Sequence, residues 1–147
     1  PDNLLARGGM IMGSYLGGVA FLKGLGLVHA ISHMVGAEYN THHGLTNAII
    51  LPVVMDYNLP GLEEKVIRMS QAMQFEDSSI NGFKNNLNEM LDILKIPRGL
   101  NEIGVPEDSY ERIAKKSMLD QAYGQNPKKA SLDEVKDLVI KSIKQAR

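Results

Sequence analysis

The most informative part of the sequence is residues 24–48, GLGLVHAISHMVGAEYNTHHGLTNA. All four histidines of the chain fall inside it, between positions 29 and 43. Residues 27–35 predict a helix that ends at Gly36, since glycine readily adopts the left-handed conformation that closes a helix. On this helix His29 and His33 are four residues apart, so their imidazoles share one face. Two neighbouring imidazoles are suited to a metal or to acid–base chemistry.

His42 and His43 come after a short connection, and residues 44–57 form a third apolar segment that Pro52 is expected to bend or divide. A lone histidine in such a segment would be interpreted as a hydrogen-bonded core residue. Four histidines within 15 residues, in a region almost free of charge, favour a functional site. The alternative, that they are structural, stays open at this stage.

The chain before this region predicts another helix, capped by Asp2 or Asn3 and running toward Leu22. Three glycines recur in it every four residues: Gly9, Gly13 and Gly17. Glycines on one helical face predict a neighbouring backbone or ligand at close range, and the alternative is a glycine-rich loop.

The second half of the chain predicts amphipathic helices. Apolar residues at helical spacing form two stripes: Leu62, Val66, Met69 and Met73, then Ile80, Phe83, Leu87, Leu91 and Leu94. The methionines in these stripes are interpreted as core residues. A further helix should start at Pro106 and be broken at Asn126-Pro127, and Ser131 to Glu134 form a capping box before the last one. Without an alternating strand pattern, the sequence predicts an all-α fold.

Composition agrees with a single folded domain. The chain has 147 residues, 44% of them hydrophobic and 22% charged, and no cysteine. Thiolate catalysis and cysteine-bound zinc or iron–sulfur clusters are thereby excluded. Only five charged residues lie in residues 1–60. We therefore expect an apolar, site-bearing half over residues 1–60 and an amphipathic helical half over residues 61–147.

The balance of charge indicates the partners to expect. Sixteen basic and seventeen acidic residues leave a formal charge of −1, so nucleic acid is not an expected partner. The longest uncharged stretches, residues 8–22 and 39–55, are shorter than the ~20 residues that span a bilayer. With no signal-peptide pattern either, we expect no membrane partner and a cytoplasmic location.

The stretch from Gly24 to Ala48, taken whole, closely resembles the iron-containing (group III) alcohol dehydrogenases. The family pattern has a histidine, a second four residues later, and a His-Gly pair fourteen after the first; here these are His29, His33 and His43-Gly44. The resemblance extends through Leu51-Pro52, Asn58, Ile96-Pro97 and Asn126-Pro127, and covers nearly the whole chain. His42 departs from it, because many members have proline there.

What the resemblance implies is a fragment of a longer enzyme. Family members have an N-terminal α/β domain that binds NAD or NADP and a helical C-terminal domain of the dehydroquinate synthase-like fold. This chain matches only the later part of the helical domain. The family's metal is held by an Asp and three His, of which two correspond to His29 and His43, while the other two ligands would lie before Pro1. His33 corresponds to an active-site histidine implicated in proton transfer.

The resemblance therefore implies metal-assisted oxidation of an alcohol to an aldehyde or ketone, with Fe²⁺ or Zn²⁺ as the metal and NAD or NADP as the hydride acceptor. The partner would be a small alcohol or aldehyde, and the chain alone is expected to be inactive. Faces left open by an absent domain favour a homo-oligomer. The alternative function is a non-catalytic helical module for assembly or metal binding.

Overall fold

The computed structural model describes residues 2–144, and over that range the chain is all-helical. Its α-helices are α1 (Leu4–Phe21), α2 (Leu27–Tyr39), α3 (His43–Asn58), α4 (Glu63–Ala72), α5 (Ile80–Ile93), α6 (Tyr110–Ser117) and α7 (Leu132–Lys144). Short 3₁₀ helices span Leu100–Ile103, Glu107–Ser109 and Gln121–Gln125. The all-α prediction is confirmed. Pro1 and residues 145–147, the ends of the predicted single domain, lie outside the described residues.

The main core lies between α2, α3, α6 and α7. Helix α2 packs on α3 and α6, and α7 packs on the same two helices. The centre consists of fully buried aliphatic side chains: Leu27, Ile31, Val35, Ile49, Ile50, Ile113, Val135 and Val139. Burying such a side chain contributes roughly 1.5–3 kcal/mol. Because α2 and α3 carry the histidines, this core sets the relative position of the candidate site residues.

A second, smaller core forms where α4 and α5 pack beside α3. Its buried members are Leu59, Val66, Phe83, Leu87 and Leu91. Met69 packs against this core as the stripe predicted, whereas Met73 lies at the end of α4 and is 40% exposed. Ile96 touches both cores and joins them.

In the first half, the predicted end of α2 is wrong, and of the two effects expected of Pro52, bending or dividing α3, the division is not found. Helix α2 does not end at Gly36 but continues to Tyr39, because Asn40 takes the left-handed conformation (φ 51°) and its N–H bonds to the carbonyl of Gly36. Pro52 does not divide α3; it is buried in the helix between turns whose side chains belong to the main core.

In the second half, the predicted capping box is correct, but the helix predicted from Pro106 to Asn126 is not continuous. The Pro106 segment starts as a 3₁₀ turn, and α6 ends at Ser117 rather than continuing to Asn126. The capping box before α7 is confirmed. Ser131 N–H donates to Glu134 Oε2 at 2.7 Å, and Glu134 N–H donates to Ser131 Oγ at 3.3 Å.

Helix α1 lies outside both cores. Asn3 caps it by accepting from Ala6 N–H at 3.0 Å, as predicted, but none of its residues is buried. A Cβ added at any of its glycines would meet no atom within 4 Å, so the close neighbour predicted for the glycine face is not found within residues 2–144. With 18 residues, α1 is long and apolar enough to cross a membrane. Length and composition alone do not distinguish a membrane span from a helix covered by protein.

A charged contact ties the end of α2 to α6. Glu38 accepts from Arg112 Nε at 2.8 Å and from Lys116 Nζ at 2.7 Å, and Arg112 also donates to the hydroxyl of Tyr39. Lys116, followed by Arg112, holds the pKa of the Glu38 carboxyl below its ordinary value of 4.5. The charged form of Glu38 is therefore favoured more in the folded than in the unfolded chain.

We expect Glu38→Gln to destabilise the chain by about 1 kcal/mol at neutral pH, since two charge-assisted bonds to half-exposed basic side chains are weakened. Because the folded pKa is lowered, this contribution is fully present above the unfolded pKa near 4.5 and is lost as pH falls through the folded value. Denaturant unfolding at several pH values measures it. Glu111→Gln, which removes an exposed pair with Lys115, is the control and should have less effect. An equal loss in both variants at every pH would contradict the prediction.

Candidate functional site

Three imidazoles lie together where α2 meets the start of α3. The ring centroids of His29 and His33 are 5.7 Å apart, those of His29 and His43 5.3 Å, and those of His33 and His43 5.5 Å. His33 and His43 are nearly parallel, and His29 meets His33 edge to face. The structure thus brings together the three histidines selected from the sequence; their individual roles remain predictions.

The fourth histidine has a different position. Nδ1 of His42 accepts a hydrogen bond from Leu45 N–H at 3.3 Å, which makes His42 the N-cap of α3. Its side chain therefore stabilises the first turn of the helix that carries His43.

The Nε2 atoms of His29 and His43 point at one place. The side-chain amide Nδ2 of Asn47 lies 3.3 Å from Nε2 of His29 and 3.0 Å from Nε2 of His43. One amide nitrogen within hydrogen-bond distance of both Nε2 atoms places these two ring nitrogens around the same point. With the amide in this orientation, Asn47 donates one hydrogen to each ring. Asn47 follows His43 by one helical turn, and this spacing of four is the signal by which the sequence could have revealed it.

Electrostatics favour the metal-binding form of His29. Burial lowers the pKa of His29, and the neighbouring imidazoles of His43 and His33 lower it further. The neutral form of His29 is therefore favoured, and a neutral imidazole nitrogen is the form that binds a metal.

The residues present fit part of a metal site. Two converging imidazole nitrogens suit Fe²⁺ or Zn²⁺. Within residues 2–144 no three His, Cys, Asp or Glu side chains come together in a way that could hold a metal. Nδ1 of His33 is engaged by Asp120, so it is not a third nitrogen beside Asn47. The chain thus offers two imidazole nitrogens at one point, and a metal held there would need further ligands.

The partner of His33 is Asp120, which the sequence analysis missed. Asp120 Oδ2 lies 3.0 Å from His33 Nδ1, and Asp120 Oδ1 accepts from Ala122 N–H at 2.8 Å. The two residues are 87 positions apart, and Asp120 lies in the part of the predicted Pro106 helix that the structure replaces with a turn and a 3₁₀ helix. Only the tertiary fold brings this carboxylate to the site.

Two clefts open beside the histidines. One, of about 570 Å³, is lined by Phe21, Leu25, His33, Asp120, Ala122 and Gln125 among others. The other, of about 430 Å³, is mainly apolar and is lined by Val28, His29, Asn47, Leu51, Met55 and Asn58 among others. The imidazole cluster therefore forms part of the wall of both clefts, where a small organic molecule can approach it.

The loop between these clefts is held by amide side chains. Asn58 and Asn126 donate to each other at 3.0 and 2.8 Å, and Asn126 Oδ1 also accepts from Leu27 N–H at 3.1 Å. A Cβ on Gly26 would lie 2.9 Å from Asn126 Oδ1, so the loop approaches this closely only with glycine there. Gln125 Oε1 accepts from Leu25 N–H at 2.7 Å.

Comparison with known proteins settles the family. A model of the Fe-containing alcohol dehydrogenase family, C-terminal, matches residues 1–143. The chain belongs to the Fe-containing alcohol dehydrogenases. The predicted resemblance is therefore confirmed, and the helical domain is the C-terminal part of proteins in this family.

Named relatives of this alcohol dehydrogenase domain are longer than the chain. It is 36% identical to lactaldehyde reductase of Escherichia coli (strain K12) over 136 residues, which cover 88% of the chain and 36% of that protein. It is 33% identical to NAD-dependent methanol dehydrogenase of Bacillus methanolicus, covering 94% of the chain and 38% of the relative. The crystal structure of a 1,3-propanediol oxidoreductase superposes with a TM-score of 0.91 at 29% identity, over 97% of the chain and 39% of that structure. The chain thus spans less than two fifths of each.

If His29 and His43 are the metal ligands, the chain should bind Zn²⁺ weakly, and His43→Ala should abolish the binding. The matched control is His42→Asn, which removes the adjacent imidazole but retains a side chain that caps α3. Isothermal titration with Zn²⁺ measures the difference. Lost binding in His42→Asn with full binding in His43→Ala would contradict the assignment of the ligand.

Asn47→Ala should raise the affinity for Zn²⁺. A lone pair that accepts from Asn47 cannot coordinate a metal at the same time, so binding must first break two hydrogen bonds worth about 1 kcal/mol each. The expected gain is roughly thirtyfold, since the two bonds together amount to ~2 kcal/mol and ~1.4 kcal/mol corresponds to a factor of ten. Competition with a chromogenic chelator measures it, and the exposed Asn85→Ala on α5 is the control. A weaker affinity in Asn47→Ala would mean that the amide orients the rings for the metal instead of competing with it.

Proposed function

We propose that the chain is the metal-binding C-terminal part of an NAD(P)-dependent alcohol dehydrogenase that interconverts a small alcohol and its aldehyde or ketone. The observation that carries the proposal is the convergence of His29 Nε2 and His43 Nε2 beside His33, at the edge of a cleft of about 570 Å³. Relatives named lactaldehyde reductase and NAD-dependent methanol dehydrogenase support the reaction class.

In this proposal His29 and His43 hold Fe²⁺ or Zn²⁺ through their Nε2 atoms. When bound, such a metal acts as a Lewis acid on the oxygen of the alcohol. The metal-binding residues lie on different helices, and the main core between α2 and α3 holds their separation. Rigid placement keeps the two ligands in position when no metal is bound.

His33 has the proton-transfer role. It is next to both proposed ligands but holds its Nδ1 on Asp120, so its Nε2 can accept a proton from a substrate hydroxyl in the cleft. NAD or NADP, when bound, would supply the hydride acceptor, and we propose that it is held mainly by polypeptide outside this chain. The chain alone should therefore lack dehydrogenase activity.

We also propose that protein covers α1. The superposition on the 1,3-propanediol oxidoreductase structure spans 97% of the chain and so includes α1, and that structure has a further three fifths of its length outside the match. An exposed apolar helix with a glycine face fits a protein neighbour at short range. A homo-oligomer and a cytoplasmic location are part of the same proposal.

The proposal predicts different effects for the three histidines in a longer protein that contains this chain. His29→Ala and His43→Ala should each lose the metal and the activity. His33→Ala should retain the metal and lose roughly 10²–10⁴-fold in turnover, the usual contribution of acid–base help. Metal content and alcohol-dependent reduction of NAD or NADP are measured side by side.

The 147-residue chain serves as the negative control, since it should give no turnover. Robust alcohol oxidation by this chain alone would contradict the proposal that the cofactor is bound mainly by polypeptide outside it. Unchanged metal and turnover in all three variants would make the cluster structural, which would favour the helical assembly module.

A further inference from the structure

We propose that Asp120 is a positioning residue that fixes the tautomer and the direction of His33. Its carboxylate keeps the ring proton on Nδ1 and leaves the Nε2 lone pair as the proton acceptor. The inference rests on the proposed function for its catalytic meaning, whereas its structural content can be tested on this chain without any reaction.

Both oxygens of Asp120 have defined partners. Oδ1 accepts from the backbone N–H of Ala122, and Oδ2 meets His33 Nδ1 at 3.0 Å. The side chain of Asp120 is 15% exposed against 37% for His33, so the carboxylate lies on the inner side of the pair. A carboxylate already held at one oxygen by its own backbone loses little further entropy when it holds a second group.

The identity of the partner determines where the proton is. An ionised carboxylate can only accept hydrogen bonds, so His33 Nδ1 must carry the hydrogen of this contact. In a neutral ring the other nitrogen, Nε2, then has a free lone pair. Stacking on His43 at 17° and the edge contact with His29 limit rotation of the ring.

This arrangement suits the proposed oxidation. The alcohol O–H bond breaks and its proton goes to His33 Nε2, while hydride leaves the carbinol carbon for the nicotinamide, so that NAD(P)⁺ is reduced and the alcohol becomes a carbonyl compound. The imidazolium that forms keeps its Nδ1–H on the Asp120 carboxylate, which stabilises the positive charge.

A purely structural role for Asp120 would be that of the N-cap of residues 121–125, and Asp120→Asn separates the two roles. The Oδ1 of asparagine still accepts from Ala122 N–H, so the cap is kept. The NH₂ group that replaces Oδ2 can only donate, so it favours the tautomer with the hydrogen on Nε2 of His33. The substitution should thus reverse the tautomer with little change of fold.

The test is ¹⁵N NMR of the histidine side chains in the chain, at pH about 9, where an ordinary histidine is neutral. The native chain should show His33 as the Nδ1–H tautomer, and Asp120→Asn should shift it to Nε2–H. Asp77→Asn is the matched control, because Asp77 also accepts from an N–H two residues later, that of Ser79 at 2.8 Å, and does not contact the histidines. His33 should keep its native tautomer in that variant.

A native His33 that is already Nε2–H, or one that Asp120→Asn leaves unchanged while the variant is folded, would overturn the inference. Should Asp120→Asn unfold the chain, the spectrum of the native protein decides alone.

In the longer protein Asp120→Asn should lower kcat for the alcohol by ~10²–10⁴-fold with KM within about twofold, since the proton acceptor works only in the transition state. A reversed tautomer in a protein that oxidises no alcohol would keep the inference and reject the proposed function.

Discussion

The amide pair of Asn58 and Asn126 fixes the start of α2, and the geometry of the histidine cluster depends on it. The first N–H groups of a helix have no partner within the helix. Asn126 Oδ1 accepts from one of these groups, the N–H of Leu27. The side-chain amides of Asn58 and Asn126 also donate to each other. His29 follows two residues later, so the first turn of α2 and its imidazole are set by this contact. Leaving one member of such a half-buried pair without its partner costs about 1–3 kcal/mol.

The segment from Asp120 to Asn126 contacts α2 at a second point. Asn126 lies 99 positions from Leu27, and Asp120 lies 87 positions from His33, yet both belong to the short stretch that crosses the face of α2. One segment thus fixes the beginning of the helix and the direction of its second imidazole. The candidate site is consequently a product of tertiary structure, even though its three histidines are close in sequence.

This explains what the sequence could predict. Helical spacing placed His29 and His33 on one face, and the family pattern added His43, because these features are local or recur within a family. Helix ends were less predictable: Gly36 carries the signal of a C-cap, but Asn40 provides the left-handed residue four positions later. The 3.6-residue period with its caps was sufficient for the all-helical fold.

A local sequence pattern could not predict contacts between residues that are far apart in the sequence. Asp120 falls inside the helix predicted from Pro106 to Asn126, whereas α6 ends at Ser117, and nothing near Asp120 in sequence points to an imidazole. Asn47 was within reach, because it follows His43 by four residues, but a single amide on a helix is more often a surface residue than a donor to two rings. The glycines of α1 predicted a close neighbour that residues 2–144 do not contain.

Helix α1 adds a thermodynamic consequence. It contains five glycines among 18 residues, and each costs an isolated helix ~1 kcal/mol relative to alanine, while no contact with either core offsets that cost. Even alanine-rich isolated helices are marginal in water below ~12–15 residues, and α1 is only slightly longer and rich in glycine. If protein covers α1 as proposed, the helical order of α1 and its association with that surface would form one coupled equilibrium. The covering surface would then set how much of this segment is helical.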